Sequence, residues 1–301
     1  MGYGSYRSSD WSRLKDSSKI THDSTANDIF KSHTIAEKFD PKFISVRESR
    51  DSEEHPNSTP VIIGLDVTGS MGYLSAEIAK NGLHETMMKI YSTKPIEDPQ
   101  MMFAAIGDVV DKAPLQVTHF ESDIRIAEQL MELWLEGRGG DGPEDYPLLW
   151  YFAAKHTAID SYSKRNKKGF LFTIGDADCH PNIQASDINR IFNDSITEPY
   201  LIEELSKMAS EQYELFHIHL SSSGNAPVPP NFTKAIPGRV IVIPKANVDR
   251  IPEIIISVME LINGKDQDKI IEQWDPTAQP VVKNAIGGLN LKTKKKKGFF
   301  F

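Results

Sequence analysis

A chain of 301 residues that is 39% hydrophobic and 25% charged has the composition of a globular protein and room for one domain of about 200 residues with extensions. Its formal net charge of -8 argues against a broad nucleic-acid surface, and its single cysteine, Cys179, excludes an intrachain disulfide and fits a reducing compartment. No apolar stretch reaches the ~18 residues of a membrane span, the first residues lack the basic-then-apolar order of a signal peptide, and Tyr6 stands where a myristoylation motif needs Ser or Thr. The expectation is a soluble, cytoplasmic protein.

Residues 1–58 form a polar arm of Ser and mixed charge with no sustained period. Thr25–Phe30 and Phe43–Arg47 carry more large apolar side chains than a solvated linker, so part of the arm is expected on the domain surface as a short helix and an edge strand. Asp51–Pro60 is turn chemistry and marks the boundary. The main domain is then expected over 59–264, with a C-terminal extension over 265–301.

The domain opens on Val61-Ile62-Ile63-Gly64-Leu65, an apolar run with the length of a buried parallel strand, which ends in Asp66 and is followed by Val67-Thr68-Gly69-Ser70. An aspartate at the carboxyl end of such a strand sits where open α/β sheets bind ligands. Thr68 and Ser70 can turn their hydroxyls back to Asp66, and Asp, Thr and Ser oxygens are hard donors suited to Mg²⁺ or Mn²⁺.

Spacing predicts a helix over Tyr73–Tyr91, a buried strand over Met101–Val110 and an adjacent edge strand over Leu115–Phe120. An amphipathic helix over Ser122–Leu135, capped by Ser122, comes next. Gly137–Tyr146 is a glycine-rich loop that presents Asp141 and leads, through Pro143, Glu144 and Asp145, into a buried helix over Pro147–Ile159. Gly169–Ile174 is a third buried strand, ending in Gly175-Asp176-Ala177-Asp178-Cys179-His180. Helices over Ala185–Phe192 and Pro199–Gln212, strands over Tyr213–Leu220 and Arg239–Ile243, and a closing helix over Val248–Ile262 complete the pattern. This order reads as α/β: a doubly wound, mostly parallel sheet with one antiparallel edge strand and helices on both faces.

Asp66-x-Thr68-Gly69-Ser70 resembles the Asp-x-Ser-x-Ser signature of the von Willebrand factor type A (vWA) domain, with Thr68 keeping the hydroxyl of the usual Ser. Gly139-Gly140-Asp141-Gly142-Pro143-Glu144 is similar to the Gly-Gly-Asp-x-Pro-Glu loop of one subgroup, and Asp176-Ala177 with His180 falls on its Asp-Ala-x-x-His loop. The resemblance covers about residues 59–264. It implies a metal-ion-dependent adhesion site (MIDAS) holding Mg²⁺ or Mn²⁺ through Asp66, Thr68, Ser70, Asp141 and Asp176, with Gly140, Glu144, Asp178 and His180 on the rim. Asp141 stands near the position where commoner members offer a Thr. The resemblance further implies a binding role without turnover, in which an acidic side chain of a protein partner completes the metal's shell, and intracellular members often serve assemblies linked to AAA+ ATPases.

Simpler uses exist for several of these residues. Glu144 reads as a charge at a helix N-terminus, His180 as an orienter of Asp176 or a loop cap, and His217 and His219 as structural. Cys179 lacks the partners of a nucleophile. The rival class is a Mg²⁺-dependent haloacid-dehalogenase-like phosphatase, which also starts from a strand-end aspartate. Thr68 takes the place of its second carboxylate, and no lysine motif follows. The terminal Lys294–Lys297 run with Phe299–Phe301 reads as a solvated or docking tail, and any contact with a membrane or nucleic acid is expected to use it.

Overall fold

The computed structural model describes residues 5–19, 24, 26–78, 83–139 and 142–291. Numbering the main sheet in chain order, its strands are β1 (Thr59–Asp66), β2 (Pro99–Ile106), β3 (Leu115–Val117), β4 (Gly169–Gly175), β5 (Tyr213–Ser221) and β6 (Val240–Pro244). They lie side by side as β3-β2-β1-β4-β5-β6. Only β3 runs antiparallel, against β2; the other neighbours are parallel. The doubly wound sheet with one antiparallel edge is therefore present.

The strands read as continuous apolar runs because both faces of the sheet are covered, and their side chains alternate between two cores. Val61, Ile63 and Leu65 of β1 join Phe103, Phe172 and Phe216 under helices Leu83–Thr93, Arg125–Met131, Ile251–Ile262 and Gln279–Gly287. Ile62 faces the other way with Met102, Ala104, Leu171 and Leu215, under helices Pro147–Lys155, Ile202–Gln212 and Pro230–Ala235. The period of two places Gly64 and Asp66 on this second face.

Gly64 lets helix Pro147–Lys155 sit directly on β1. A Cβ there would overlap Leu149 Cδ2 and come within 2.7 Å of Ile106 Cδ1. Gly64→Val is accordingly expected to cost about 1–3 kcal/mol through overpacking, measured by urea unfolding. Unchanged stability would mean that the helix does not seat at this point.

Several boundaries differ from the sequence reading. Helical structure after the opening turn is described over Tyr73–Glu77 and Leu83–Thr93, and residues 79–82 lie outside the described residues. Ser122 is not a cap, since the helix begins at Arg125, whose N–H is received by the Asp123 carboxylate. The buried helix stops at Lys155 because Thr157–Ile159 leaves to pair in parallel with Arg47–Ser49 of the arm. That strand starts beyond Phe43, which is 60% exposed, whereas Ile29, Phe30 and Phe39 are buried against the domain. Helices Ser8–Ser18, Gln267–Glu272 and Gln279–Gly287 had no clear sequence signal, yet the last two bury Ile270, Val282 and Ile286 in the first core. The Lys/Phe tail lies outside the described residues. Among the described residues no helix is long and apolar enough to cross a membrane.

Candidate metal centre

The chain runs from β1 outward to β2 and β3, then returns to the opposite side of β1 to lay down β4, β5 and β6. The crevice between the carboxyl ends of β1 and β4 is the switch point where such sheets bind ligands. Asp66 closes β1, and Asp176 follows Gly175 at the end of β4.

A chain of hydrogen bonds joins the two loops. Asp66 Oδ1 accepts from the Thr68 N–H at 2.8 Å and the Thr68 hydroxyl at 2.6 Å. Thr68 Oγ1 lies 3.3 Å from Ser70 Oγ, which donates to Asp176 Oδ1 at 2.7 Å. The expected turn of both hydroxyls toward Asp66 thus holds for Thr68, while Ser70 bridges to the neighbouring loop. Lys245, just beyond β6, holds the other Asp176 oxygen with an Nζ–Oδ2 distance of 2.6 Å. The Ser75 hydroxyl donates to the Asp66 carbonyl at 2.8 Å and ties the next helix to the strand end.

Tyr146, which the sequence reading passed over, completes the Asp66 environment. Its hydroxyl donates to Asp66 Oδ2 at 2.6 Å, and the ring is buried against His217 and Phe232. Two glycines make this approach possible: Gly64 seats the helix that follows Tyr146, and a Cβ on Gly175 would overlap the phenol oxygen. The signal available in the sequence was a Tyr immediately before the buried helix, facing a strand that ends in Gly. Gly175→Ala is expected to push the phenol off Asp66 and destabilise the protein by more than Tyr146→Phe. The latter change loses one hydrogen bond to a charged group, worth about 1.5–3 kcal/mol. Chemical denaturation of the two variants checks the order; a Gly175→Ala protein as stable as the parent would refute the contact.

Glu144 does not cap a helix in solvent. It is 4% exposed, and its Oε2 has no hydrogen-bond partner among the described residues. Gly139, held at φ +122°, brings the glycine-rich loop between Glu144 and Thr68: a Cβ there would lie 3.0 Å from Glu144 Oε1 and 3.2 Å from Thr68 Cβ. Burial, and then the negative charge of Asp66, pushes the Glu144 carboxyl up to about 8. Burial likewise pushes Asp66 up to about 6, opposed by the hydrogen bonds from Thr68 and Tyr146. Two buried carboxylates beside two hydroxyls form an all-oxygen donor set that lacks positive charge, which fits a hard divalent cation.

The remaining sequence candidates divide. Gly140 and Asp141 lie outside the described residues. Asp178 organises its own loop by accepting from the N–H groups of Cys179 and Asn231. His180 sets its Nε2 3.6 Å from Asp108 Oδ2. Cys179 is buried, and burial raises its thiol far above the ordinary range, as expected of an inert side chain. His217 is fully buried, stacked on Phe232 at 3.8 Å, and burial keeps it neutral by lowering its pKa well below the usual value.

No protein-family model and no curated protein sequence matches the chain. Solved structures of similar fold include the open form of the pilus adhesin SpaC from Lactobacillus rhamnosus GG, at 8% identity and TM-score 0.45, covering 79% of this chain and 31% of that one. Another is the proximal thread matrix protein 1 of the mussel byssus with a zinc-occupied MIDAS motif, at 8% identity and TM-score 0.44, covering 67% of this chain and 48% of that one. The vWF domain of the type V pilus tip protein Mfa5 from Porphyromonas gingivalis has 9% identity and TM-score 0.44, with 74% and 98% covered. The chain thus spans about a third of the adhesin chain and about half of the byssus protein.

Proposed function

We propose that the chain is a protein-binding module whose partner site is assembled on a divalent cation, Mg²⁺ or Mn²⁺, at the β1–β4 crevice. The observation that carries this reading is the buried Glu144 carboxylate, whose Oε1 meets the Gly139 backbone beside Thr68 and whose Oε2 has no hydrogen-bond partner among the described residues. An ionised carboxylate held out of water needs a counter-charge. Asp66, Thr68, Ser70 and Asp176 are the residues that would hold the cation, with Glu144 offering a further carboxylate; Asp141, which the sequence reading also assigned to the cation, lies outside the described residues. When bound, the cation would present a Lewis-acidic position to an acidic side chain of a partner protein.

Three carboxylates around one divalent ion leave the centre poorly attractive to a further anion. Lys245 offsets this: its ammonium on Asp176 is partly exposed at the rim, where an incoming carboxylate would meet it. A phosphatase reading fits less well, because both Asp66 oxygens are engaged by hydrogen bonds and Thr68 cannot serve as the second carboxylate.

Calorimetric titration of Mg²⁺ and of Mn²⁺ into the metal-stripped protein tests the reading. Saturable binding near one equivalent supports it. An absence of both heat and thermal stabilisation up to millimolar cation would sink it.

A further inference from the structure

A second group of ligating side chains lies on the same edge of the sheet, on the far side of the glycine-rich loop. Asp108 follows the end of β2, Asp145 immediately precedes Tyr146, and His180 closes the loop after β4. One ligand atom from each lies within 4.8 Å of the other two. The backbone brings them together: the Glu144 N–H donates to the Asp178 carbonyl at 2.9 Å and the His180 N–H to the Glu144 carbonyl at 3.4 Å. This short parallel bridge sends consecutive residues to different places, with Glu144 facing Thr68 and Asp145 facing Asp108 and His180.

Both carboxylates are oriented from behind. The Val110 N–H donates to Asp108 Oδ1 at 2.9 Å, and the Val109 N–H to Asp145 Oδ2 at 2.8 Å. Asp108 turns its other oxygen to His180, and a ligand atom of Asp145 lies within 4.8 Å of theirs. Backbone amides that fix one oxygen and leave the other for a shared centre are the outer-shell arrangement of metal-binding carboxylates.

Charge balance points the same way. Asp108 and Asp145 are each 2% exposed. Arg190, which reaches the Val109 carbonyl beside this group, is paired with Asp187. A protonated His180 would supply one positive charge against two buried carboxylates. A divalent ion neutralises both and lets the imidazole act as a neutral nitrogen donor.

We infer that Asp108, Asp145 and His180 form a second cation site, separate from the Asp66 centre and selective for a borderline divalent ion of the Zn²⁺ type. The mixed nitrogen and oxygen donors distinguish it from the all-oxygen centre next to it. The His180 side chain is 24% exposed, so the group lies within reach of solvent. The two centres share none of their described ligands, but Glu144 and Asp145 are adjacent in the chain, so occupation of one fixes the loop that serves the other.

The test uses the full chain, stripped of metal and then held in millimolar Mg²⁺ to fill the oxygen centre. Zn²⁺ is titrated by calorimetry while the His180 ring nitrogens are followed by NMR. Intact protein is expected to bind one Zn²⁺ with a shift of the His180 nitrogen resonance. His180→Gln and the isosteric Asp108→Asn should each weaken that binding about 10-fold or more, whereas Asp66→Ala should leave it in place. Zn²⁺ binding that Asp66→Ala abolishes and His180→Gln spares would overturn the second site, and so would a His180 that remains an imidazolium with Zn²⁺ present. Zn²⁺ binding through His180 in a protein that shows no Mg²⁺ binding would sink the Asp66 reading alone.

Discussion

Asp66→Ala is expected to abolish Mg²⁺ binding at the β1–β4 crevice, weakening it by more than about 100-fold, since changes even behind a metal's direct ligands cost about 10–100-fold. The effect is large because Asp66 organises the rest: Thr68 is turned by its Oδ1, Tyr146 is anchored by its Oδ2, and the Thr68–Ser70–Asp176 chain follows from the first of these contacts. Asp66→Asn separates ligation from folding. The amide oxygen retains an acceptor for the Thr68 N–H, so the circular dichroism spectrum should stay close to the parent while calorimetry shows no cation uptake. An Asp66→Asn protein that still binds Mg²⁺ normally would remove Asp66 from the centre.

The second large effect is a coupling between pH and cation. Asp66 is raised from 3.8 to about 6 and Glu144 from 4.5 to about 8, burial being the first cause in each. Between the unfolded and folded values, the unfolded chain has released protons that the folded protein retains. The stability these groups contribute is therefore complete below about pH 4 and is lost as pH climbs through about 6 and then about 8. For Asp66 the difference is on the order of 3 kcal/mol. Metal-free protein should accordingly melt at progressively lower temperature from pH 5 to pH 8. Mg²⁺ at a hundredfold excess over its dissociation constant returns about 2.7 kcal/mol, and its stabilising effect should grow over the same interval as the ligands ionise. A cation effect independent of pH, or a metal-free protein that gains stability across this range, would contradict the assignment of these two carboxylates.

The central architecture was legible because it depends on local pattern. Runs such as Val61–Leu65 and, but for Thr173, Phe170–Ile174 carry no alternating polar positions, a pattern that a strand covered on both faces requires. The hydroxyls after Asp66 and the carboxylate after Gly175 were visible from their places at strand ends. Less legible were segments whose burial rests on distant partners. Helix Gln279–Gly287 carries few apolar residues, but Val282 and Ile286 fit against Ile251–Ile262 and so become core.

At the site, the sequence by itself determined which donor types stand at the carboxyl edge of the sheet: hard oxygens after β1, and carboxylates with one imidazole in the two following loops. Only the tertiary structure decided which of them meet. Glu144, read as a charge at a helix N-terminus, is buried beside Thr68, His180 comes near Asp108, and Tyr146 became the partner of Asp66. Chemical type and strand position are properties of a few neighbouring residues, whereas desolvation and charge pairing depend on loops brought together from across the chain. Here, close packing at Gly64 and Gly175 and the two-residue bridge between Glu144 and Cys179 set that approach.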